Sequence, residues 1–197
     1  MAQRIPTGEA DLILGCDMLT AGSKEVVSKM HRGRTHALVN THQQPTGQFT
    51  KNPDWSFPEQ TVRQLVAQAV GEKVDFVDST RLALAILGDS IGSNLFMVGF
   101  AFQKGCVPLS AQALLKAIEL NGISVDFNQQ CFAWGRLAAY DLEAVERVGQ
   151  LDLARQARGL VAVVRAVEQV VLVGADRGQL VDPGGIDMDM AGRARAA

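Results

Sequence analysis

Three short strand-like runs constrain what this chain can fold into. They are residues 12–14, residues 37–39 and Val74–Val77, and runs of this length are typical of buried strands. Helical patterns separate them, at residues 20–30 and at Glu59–Val70. Parallel pairing needs crossover connections of this kind. The first part of the chain is therefore predicted to form right-handed βαβ units with about three parallel strands.

The second part of the chain reads as mostly helical. Helices are predicted over residues 80–87, capped by Asp78 or Ser79, and over three later segments: Ser93–Gln103, Ala111–Asn121 with Ser110 as its cap, and residues 128–140. The earlier helix Glu59–Val70 has the clearest buried face, formed by apolar residues at helical spacing: Val62, Leu65, Val66, Ala69 and Val70. The predicted fold class is α/β, a parallel sheet followed by a mostly helical C-terminal half.

Composition excludes several classes of function. The 197 residues carry a formal net charge of −2 with a pI near 5.9, which gives no sign of nucleic-acid or membrane-surface binding. No apolar run is long enough to span a bilayer and no secretory signal opens the sequence, so we expect a cytoplasmic protein. Cys16, Cys106 and Cys131 lie far apart without C-x-x-C spacing. They are interpreted as buried reduced thiols, and no metal site is predicted.

The composition changes sharply after Gly149. From Leu151 onward the sequence lacks Ser, Thr, Asn, Lys, Cys, His and aromatic residues. We therefore predict one domain over residues 1–149, a helical extension over residues 150–173, and a flexible tail over residues 174–197 that is too poor in apolar residues to order itself.

The strongest local candidate for a site follows the second predicted strand. Ligands of open parallel sheets bind at the carboxyl ends of the strands, and residues 40–47 begin at such an end. Its substrate or interface candidates are Thr41, His42, Gln43, Pro45 and Thr46. No G-x-G-x-x-G or G-x-x-x-x-G-K-[ST] pattern occurs, so no phosphate cradle is predicted. The three histidines, His31, His36 and His42, lack metal-ligand spacing and are interpreted as surface or structural residues, with His42 as the exception.

A second group of candidates lies in the segment that begins at Gly88. The string GDSIG matches the G-x-S-x-G elbow of serine hydrolases, with Ser90 as nucleophile. That motif needs a strand before the serine, whereas residues 81–87 look helical, and a histidine after it, whereas all three histidines precede it. Hydrolysis at Ser90 stays the least favoured alternative. Asp89 and Ser90 are instead interpreted as helix caps, Gly92 as a close-packing position, and Asp89, Ser90 and Asn94 remain interface candidates.

Four segments, together covering about residues 5–141, resemble a known family. They read ADLILGCDMLTAGSKE, RTHALVNTHQQPTGQFTKNPDW, GDSIGSNLFMVGFAFQKGCVPLSAQALLKAIELNGISVDFN and FAWGRLAAYD. They resemble the γ domain of the 2-oxoacid:ferredoxin oxidoreductases, and are most similar to the fused indolepyruvate ferredoxin oxidoreductases. The family's glycine-rich turn and the strands around it have no counterpart here, so the resemblance is to a γ domain that lacks its N-terminal part.

The resemblance implies a partial Rossmann-like sheet and a role in a larger assembly. The family converts a 2-oxoacid to an acyl-CoA and passes electrons to ferredoxin, with thiamine diphosphate and iron–sulfur clusters held by other domains. No catalytic residue and no bound cofactor are expected in this chain, which should be inactive alone. Expected partners are the other domains or subunits, in a homo- or hetero-oligomer that supplies the missing strands, and ferredoxin. A non-catalytic assembly or binding module is the alternative.

Overall fold

The structure is a computed structural model that describes residues 4–43 and 57–155, with side chains described up to residue 150. The chain divides after Arg81 into two compact units. The first, up to Arg81, contains the strands and is called the sheet unit. The second, from Leu82, contains helices and is called the helical unit.

The sheet unit is built on three parallel strands, as predicted. They are β1 (Leu12–Gly15), β2 (His36–Asn40) and β3 (Val74–Val77), in the order β1-β2-β3. Leu12 is in register with His36, and Ala37 with Val74. The central strand β2 is buried because helices cover it and a strand flanks it on either side. This arrangement confirms an α/β fold with a three-stranded parallel sheet.

The helix predicted over residues 20–30 is wrong, because two short helices occupy this segment. They are α1 (Met18–Ala21) and α2 (Lys24–Val27). Asp17 caps α1 through its Oδ1, which accepts from Thr20 N at 2.6 Å, and Ser23 is extended and caps α2. Two separate caps start two separate helices, since a cap residue itself leaves the helical conformation.

Helix α3 (Glu59–Val70) has the predicted bounds. Val62, Val66 and Val70 are buried against the sheet unit's core, which also includes Met18, Ala21 and Val39. The prediction for Leu65 is wrong, because that side chain is 43% exposed. Leu65 lies at the edge of the buried face that the three valines form. Helical spacing alone does not distinguish such an edge position from a buried one.

The elements of the helical unit are α4 (Ser79–Leu87, which begins in the sheet unit), a 3₁₀ turn (Ser90–Gly92), α5 (Ser93–Gln103), α6 (Ala111–Asn121), α7 (Val125–Tyr140) and α8 (Leu142–Arg155). They include the predicted helices up to α7 in the predicted order, with α4 beginning one residue earlier than predicted, and the last helix begins at Leu142, before the predicted helical extension. Helix α7 begins three residues before its predicted start, and α8 continues through the predicted domain limit at residue 149. The proposed limits at 149 and 173 stay predictions, and residues 156–197 lie outside the described residues.

Helices α5 and α7 touch backbone to backbone. A Cβ atom on Gly99 would overlap the carbonyl oxygen of Phe132, and a Cβ atom on Gly135 would overlap that of Phe96. Each helix thus needs a glycine where the other's main chain passes. Phe96 and Phe132 are fully buried beside this crossing, so the crossing organises the core of the helical unit.

Candidate functional site

The carboxyl ends of the three strands carry polar residues that meet at one edge of the sheet. Cys16 follows β1, residues 40–43 end and follow β2, and residues 78–81 follow β3. Because the strands are parallel, these segments lie side by side at the edge where ligands of open α/β sheets bind. This carboxyl edge is the candidate functional site of the sheet unit.

Asn40 ties the three segments together. Its side-chain Nδ2 donates to the Cys16 carbonyl oxygen at 3.2 Å and to Thr80 Oγ1 at 2.8 Å. Its Oδ1 accepts from the backbone N–H of His42 at 3.2 Å. Asn40 is only 4% exposed, and buried polar groups that are fully bonded rigidify their surroundings. The edge is therefore a preorganised surface.

His42 and Asp78 form the accessible ionisable pair of this edge. His42 Nδ1 lies 3.5 Å from Asp78 Oδ1, and both side chains are partly exposed. Asp78 also caps α4, since its Oδ1 accepts from Arg81 N at 2.9 Å, and its Oδ2 lies 3.7 Å from Arg81 Nε. An imidazole beside a carboxylate can accept or donate a hydrogen bond to a polar ligand and can relay a proton. Of the two predicted caps for α4, the structure selects Asp78.

Gln43 connects the segment after β2 to the start of α3. Its Nε2 donates to Glu59 Oε2 at 2.8 Å, while Arg63 Nε donates to Glu59 Oε1 at 2.7 Å. The hydrogen bond from Arg63 lowers the pKa of the Glu59 carboxyl, opposed by partial burial and assisted by Gln43. Glu59 therefore stays ionised and positions Gln43. Pro45 and Thr46 lie outside the described residues.

Two further groups at this edge have contrasting properties. The Ser79 hydroxyl is fully buried and has no hydrogen-bond partner among the described residues, so it adds no bond to the network. Cys16 is exposed, which contradicts the prediction of a buried thiol. Partial desolvation raises the pKa of the Cys16 thiol, so at neutral pH it is protonated and a weak nucleophile.

The remaining histidine of β2 has a structural contact. His36 Nε2 lies 2.6 Å from Asp75 Oδ2 across the β2–β3 pair, near the opposite end of β2 from Asn40. This agrees with the structural role predicted for His36. Among the residues that the structure describes, no group of three or more His, Cys, Asp and Glu side chains is placed to hold a metal ion.

The second group of candidates lies at the start of α5, in the helical unit. Asp89 caps the 3₁₀ turn, with Oδ1 accepting from Ile91 N at 2.9 Å. Ser90 is the first residue of that turn, and Asn94 is exposed on α5. Asp89 therefore has the predicted capping role, whereas the side chains of Ser90 and Asn94 form no hydrogen bond within the described ranges.

The geometry around Ser90 does not match a nucleophile elbow. The segment before it is the helix α4, as expected from the sequence, and a 3₁₀ turn follows. An elbow requires a strand that delivers the serine to the top of a sheet. Gly92 has the predicted packing role, since a Cβ there would overlap Cys131 Sγ and lie 3.1 Å from the Phe127 ring.

The buried ionisable side chains of the helical unit, Cys131 and Arg136, are unreactive at neutral pH. Burial raises the pKa of the Cys131 thiol to about 12, and the Asp89 carboxylate adds to this effect. Arg136 is 1% exposed and donates from Nε to Gln103 Oε1 at 3.0 Å, while its Nη2 is buried and has no partner in the part of the chain that the structure describes. Burial lowers the pKa of this guanidinium, which remains a cation at neutral pH.

Sequence reasoning missed several members of the carboxyl edge. The sequence predicts Asn40 only as the first residue of a candidate segment, and Asp78 and Thr80 only as the start of a helix. A signal for Asn40 and Asp78 is present in the sequence, because each of them directly follows a strand-like run. Glu59 and Arg63 carried no such signal, since their approach to Gln43 depends on where α3 begins.

Comparison with protein-family models, with curated proteins and with solved structures finds no match to this chain. Within the described ranges, no helix is both long enough and apolar enough to cross a membrane.

Proposed function

We propose that this chain is a γ-domain-like component of an indolepyruvate-type 2-oxoacid:ferredoxin oxidoreductase, and that its sheet is part of a Rossmann-like fold. In this role it contributes structure and interfaces to an assembly that oxidatively decarboxylates a 2-oxoacid to an acyl-CoA. Thiamine diphosphate, iron–sulfur clusters and CoA would be held by other domains or subunits, with ferredoxin as electron acceptor. The chain alone would be inactive.

The α5–α7 crossing carries the proposal. Gly99 belongs to the long resembling run that starts at Gly88, and Gly135 belongs to the separate segment FAWGRLAAYD. Each glycine meets the main chain of the other segment. Residues that look like family markers thus have a physical reason to occur together, because a side chain at either position would drive the helices apart. This supports an interpretation of the markers as determinants of a shared packing arrangement rather than of catalysis.

The open edges of the sheet support a place in an assembly. In the sheet formed by the described residues, β1 and β3 are the edge strands. No backbone group of Leu12–Gly15 bonds to anything there other than β2. The β1 sequence LILG carries no charge or proline that would discourage further pairing. All-parallel sheets are ordinarily covered by other elements, so a partner that adds strands here fits the proposal.

The carboxyl edge would form part of the wall of a substrate or CoA region. Thr41, His42 and Gln43 are held there by Asn40 and Glu59, and Pro45 and Thr46 continue the same segment. His42 with Asp78 offers hydrogen bonds to a carboxylate or amide, whereas the described side chains offer no activated nucleophile. This supports a positioning role for the edge, with the chemistry proposed to lie on other chains.

Capture of the assembly tests the proposal. The tagged chain would be expressed in its source cells and isolated under native conditions, and the captured material would be assayed for reduction of a viologen dye that depends on indolepyruvate, CoA and thiamine diphosphate. We expect a thiamine-binding chain in the captured material, with this activity. His42→Ala should lower the activity while the partner is still captured, because His42 belongs to the proposed wall.

Ser90→Ala tests the hydrolase alternative, since it removes an exposed hydroxyl that forms no hydrogen bond in the described residues. It should leave dye reduction by the captured material unchanged. Partners without a thiamine-binding chain would reject the oxidoreductase proposal in favour of an assembly module. Esterase activity that disappears in Ser90→Ala would instead establish the hydrolase alternative.

A further inference from the structure

Helix α6 is attached less firmly than the two helices beside it. Its buried residue is Ala111, while Leu114, Leu115 and Ile118 are only partly buried and the rest of the helix is exposed. By contrast, five residues of α5 and seven of α7 are buried, and the main chains of these two helices touch at their glycine crossing. Burial of apolar area is what holds a helix to its neighbours, so α6 contributes least to the core that it borders.

Polar contacts do not compensate for this shallow burial. Ser110 Oγ accepts from Ala113 N at 3.1 Å, and Lys116 Nζ donates to Glu119 Oε2 at 2.8 Å. The backbone hydrogen bonds of residues 107–122 likewise stay within that segment, as far as the structure describes the chain. We call residues 107–122 the α6 arm. Its attachment to α5 and α7 therefore depends on a few apolar side chains.

Residues in the left-handed conformation flank the α6 arm. Gly105 (φ 74°) precedes the arm, Gly122 (φ 70°) ends it, and Ser124 (φ 44°) follows. Ser124 is the one residue other than glycine with a positive φ in the described ranges, and this conformation is strained for a residue with a Cβ atom. All three residues lie between helices, where a change of φ and ψ disrupts no element. At Ser124 such a change would also relieve strain.

We propose that the α6 arm is a lid that detaches as one unit, turning at the left-handed residues on either side, while α5 and α7 stay packed. Leu95 and Val98 of α5 line the same groove as Leu114 and Ile118 of α6. Detachment removes the α6 wall and exposes this apolar side of α5, so the lid controls when it is accessible. Local openings draw on parts of a fold with few buried apolar contacts. The lid does not depend on the function proposed above.

Native-state hydrogen exchange of the full chain tests the proposal. A detached helix of 11 residues is too short to persist alone, so the amides of residues 115–120 would exchange whenever the lid opens. We expect these amides to share one level of protection, on the order of 100-fold below that of the central amides of α5 and α7. Detachment as a unit gives one shared level, whereas fraying gives protection that rises from the ends of α6 towards its centre.

Two glycines with the same left-handed conformation distinguish opening of the lid from unfolding of the whole unit. At both Gly122 (φ 70°) and Gly88 (φ 79°), an added Cβ atom would meet no described atom within 4 Å, so alanine adds only backbone strain. Gly122→Ala strains the closed lid and should lower the protection of α6 about threefold to fivefold. Gly88→Ala strains the closed and open states equally, because Gly88 lies outside the lid. It should lower the protection of α5 and α7 by a similar factor and leave that of α6 unchanged.

Ser124→Asn should have the opposite effect to Gly122→Ala. Asparagine adopts the left-handed conformation more readily than serine, so the closed lid becomes less strained. We expect the protection of α6 to rise about threefold, in line with the several-fold enrichment of asparagine in this conformation. Thermal unfolding checks that each variant is folded.

Four outcomes would overturn the proposal. Equal protection of α6, α5 and α7 would mean that no lid opens, and graded protection along α6 would mean that the helix only frays. A loss of α6 protection in Gly88→Ala as large as in Gly122→Ala would show that α6 exchanges only when the whole unit unfolds. Unchanged or lower protection of α6 in Ser124→Asn would reject the hinge after α6.

Discussion

The two units of this protein use polar and small residues in opposite ways. In the sheet unit, the side chain of Asn40 makes three hydrogen bonds that join the carboxyl ends of separate strands. In the helical unit, α5 and α7 have glycines at positions 99 and 135, and their main chains are in direct contact there. The first arrangement presents polar groups to solvent at a defined edge, and the second excludes everything between two helices.

This difference predicts which substitutions each unit tolerates. A polar network fails when one partner is lost, because the remaining partners are left buried and unbonded. A backbone crossing fails when anything is added, because protein interiors are already close-packed. The sheet unit should therefore be sensitive to deletion of polar atoms, and the helical unit to addition of a single methyl group.

Gly135→Ala should have the largest effect on stability. The new Cβ would overlap the Phe96 carbonyl oxygen, which belongs to the backbone of α5 and cannot rotate away. We expect a loss of about 3 kcal/mol or more in the free energy of unfolding, measured with urea. Gly149→Ala is the matched control, since its Cβ would lie 3.5 Å from Leu82 Cδ2 in ordinary contact, and it should stabilise by up to about 1 kcal/mol. Equal effects of the two substitutions would contradict the backbone contact.

Asn40→Leu should have the next largest effect. It leaves the Cys16 carbonyl, the Thr80 hydroxyl and the His42 N–H without their bonds to the side chain, and we expect a loss of about 2–3 kcal/mol. Ser79→Ala removes a neighbouring buried hydroxyl that has no partner within the described ranges and should change stability by less than about 0.5 kcal/mol. Equilibrium unfolding of both variants makes the comparison. A costly Ser79→Ala would show that the network extends beyond Asn40.

Titration of Cys131 should lower stability in alkaline solution. Burial holds the pKa of the folded thiol near 12, against 9.0 for the ordinary thiol. The folded state then keeps its proton while the unfolded state loses it, so the stabilising effect is complete below pH 9 and declines above it. At pH 10 the loss should reach about 1.4 kcal/mol. The difference in unfolding free energy between wild type and Cys131→Ala, measured from pH 7 to pH 10, isolates this contribution. A constant difference would be inconsistent with a buried thiol.

Two arginines that lie over phenylalanine rings should respond to substitution with opposite signs. Arg63 is 4.5 Å from the Phe76 ring centroid and pairs with Glu59, so Arg63→Met should cost up to about 1 kcal/mol. Arg136 lies 5.2 Å from the Phe102 ring centroid and has no carboxylate within salt-bridge distance among the described side chains. Arg136→Met should be neutral or stabilise by about 1 kcal/mol, because a buried charge is removed. Thermal unfolding of the two variants gives the signs, and a loss at Arg136 would point to a partner for its charge.

The sequence was sufficient for the strands and for most helices, because apolar runs and helical spacing are local properties. It failed at residues 20–30, where Val26, Val27 and Met30 suggested one helix. The caps Asp17 and Ser23 were visible in the sequence, but the choice between one helix and two depends on tertiary contacts. Gly22 packs against Val62, with a Cβ placed there only 2.7 Å from Val62 Cγ1, and spacing within one segment does not reveal such an approach.

The candidate site was predictable in position but not in composition. The rule that ligands bind at the carboxyl ends of parallel strands located Thr41, His42 and Gln43. Their partners Asp78 and Glu59 follow from strand register and from the entry of α3, which are long-range properties. The same limit applies to the crossing of Gly99 and Gly135, since a helix pattern gives the face of each helix but not the point at which two helices meet.

The order of the strands also affects how the protein is made. Neither parallel pair can close as a hairpin, so β1 stays unpaired until β2 has left the ribosome, and β2 is only half paired until β3 follows. The nascent chain thus exposes the uncharged strand LILG until β2 has emerged. Slow, non-local pairing of this kind exposes chains to aggregation. We expect the yield of correctly folded sheet unit to depend on holdase chaperones during translation, and to rise when elongation beyond Val77 is fast.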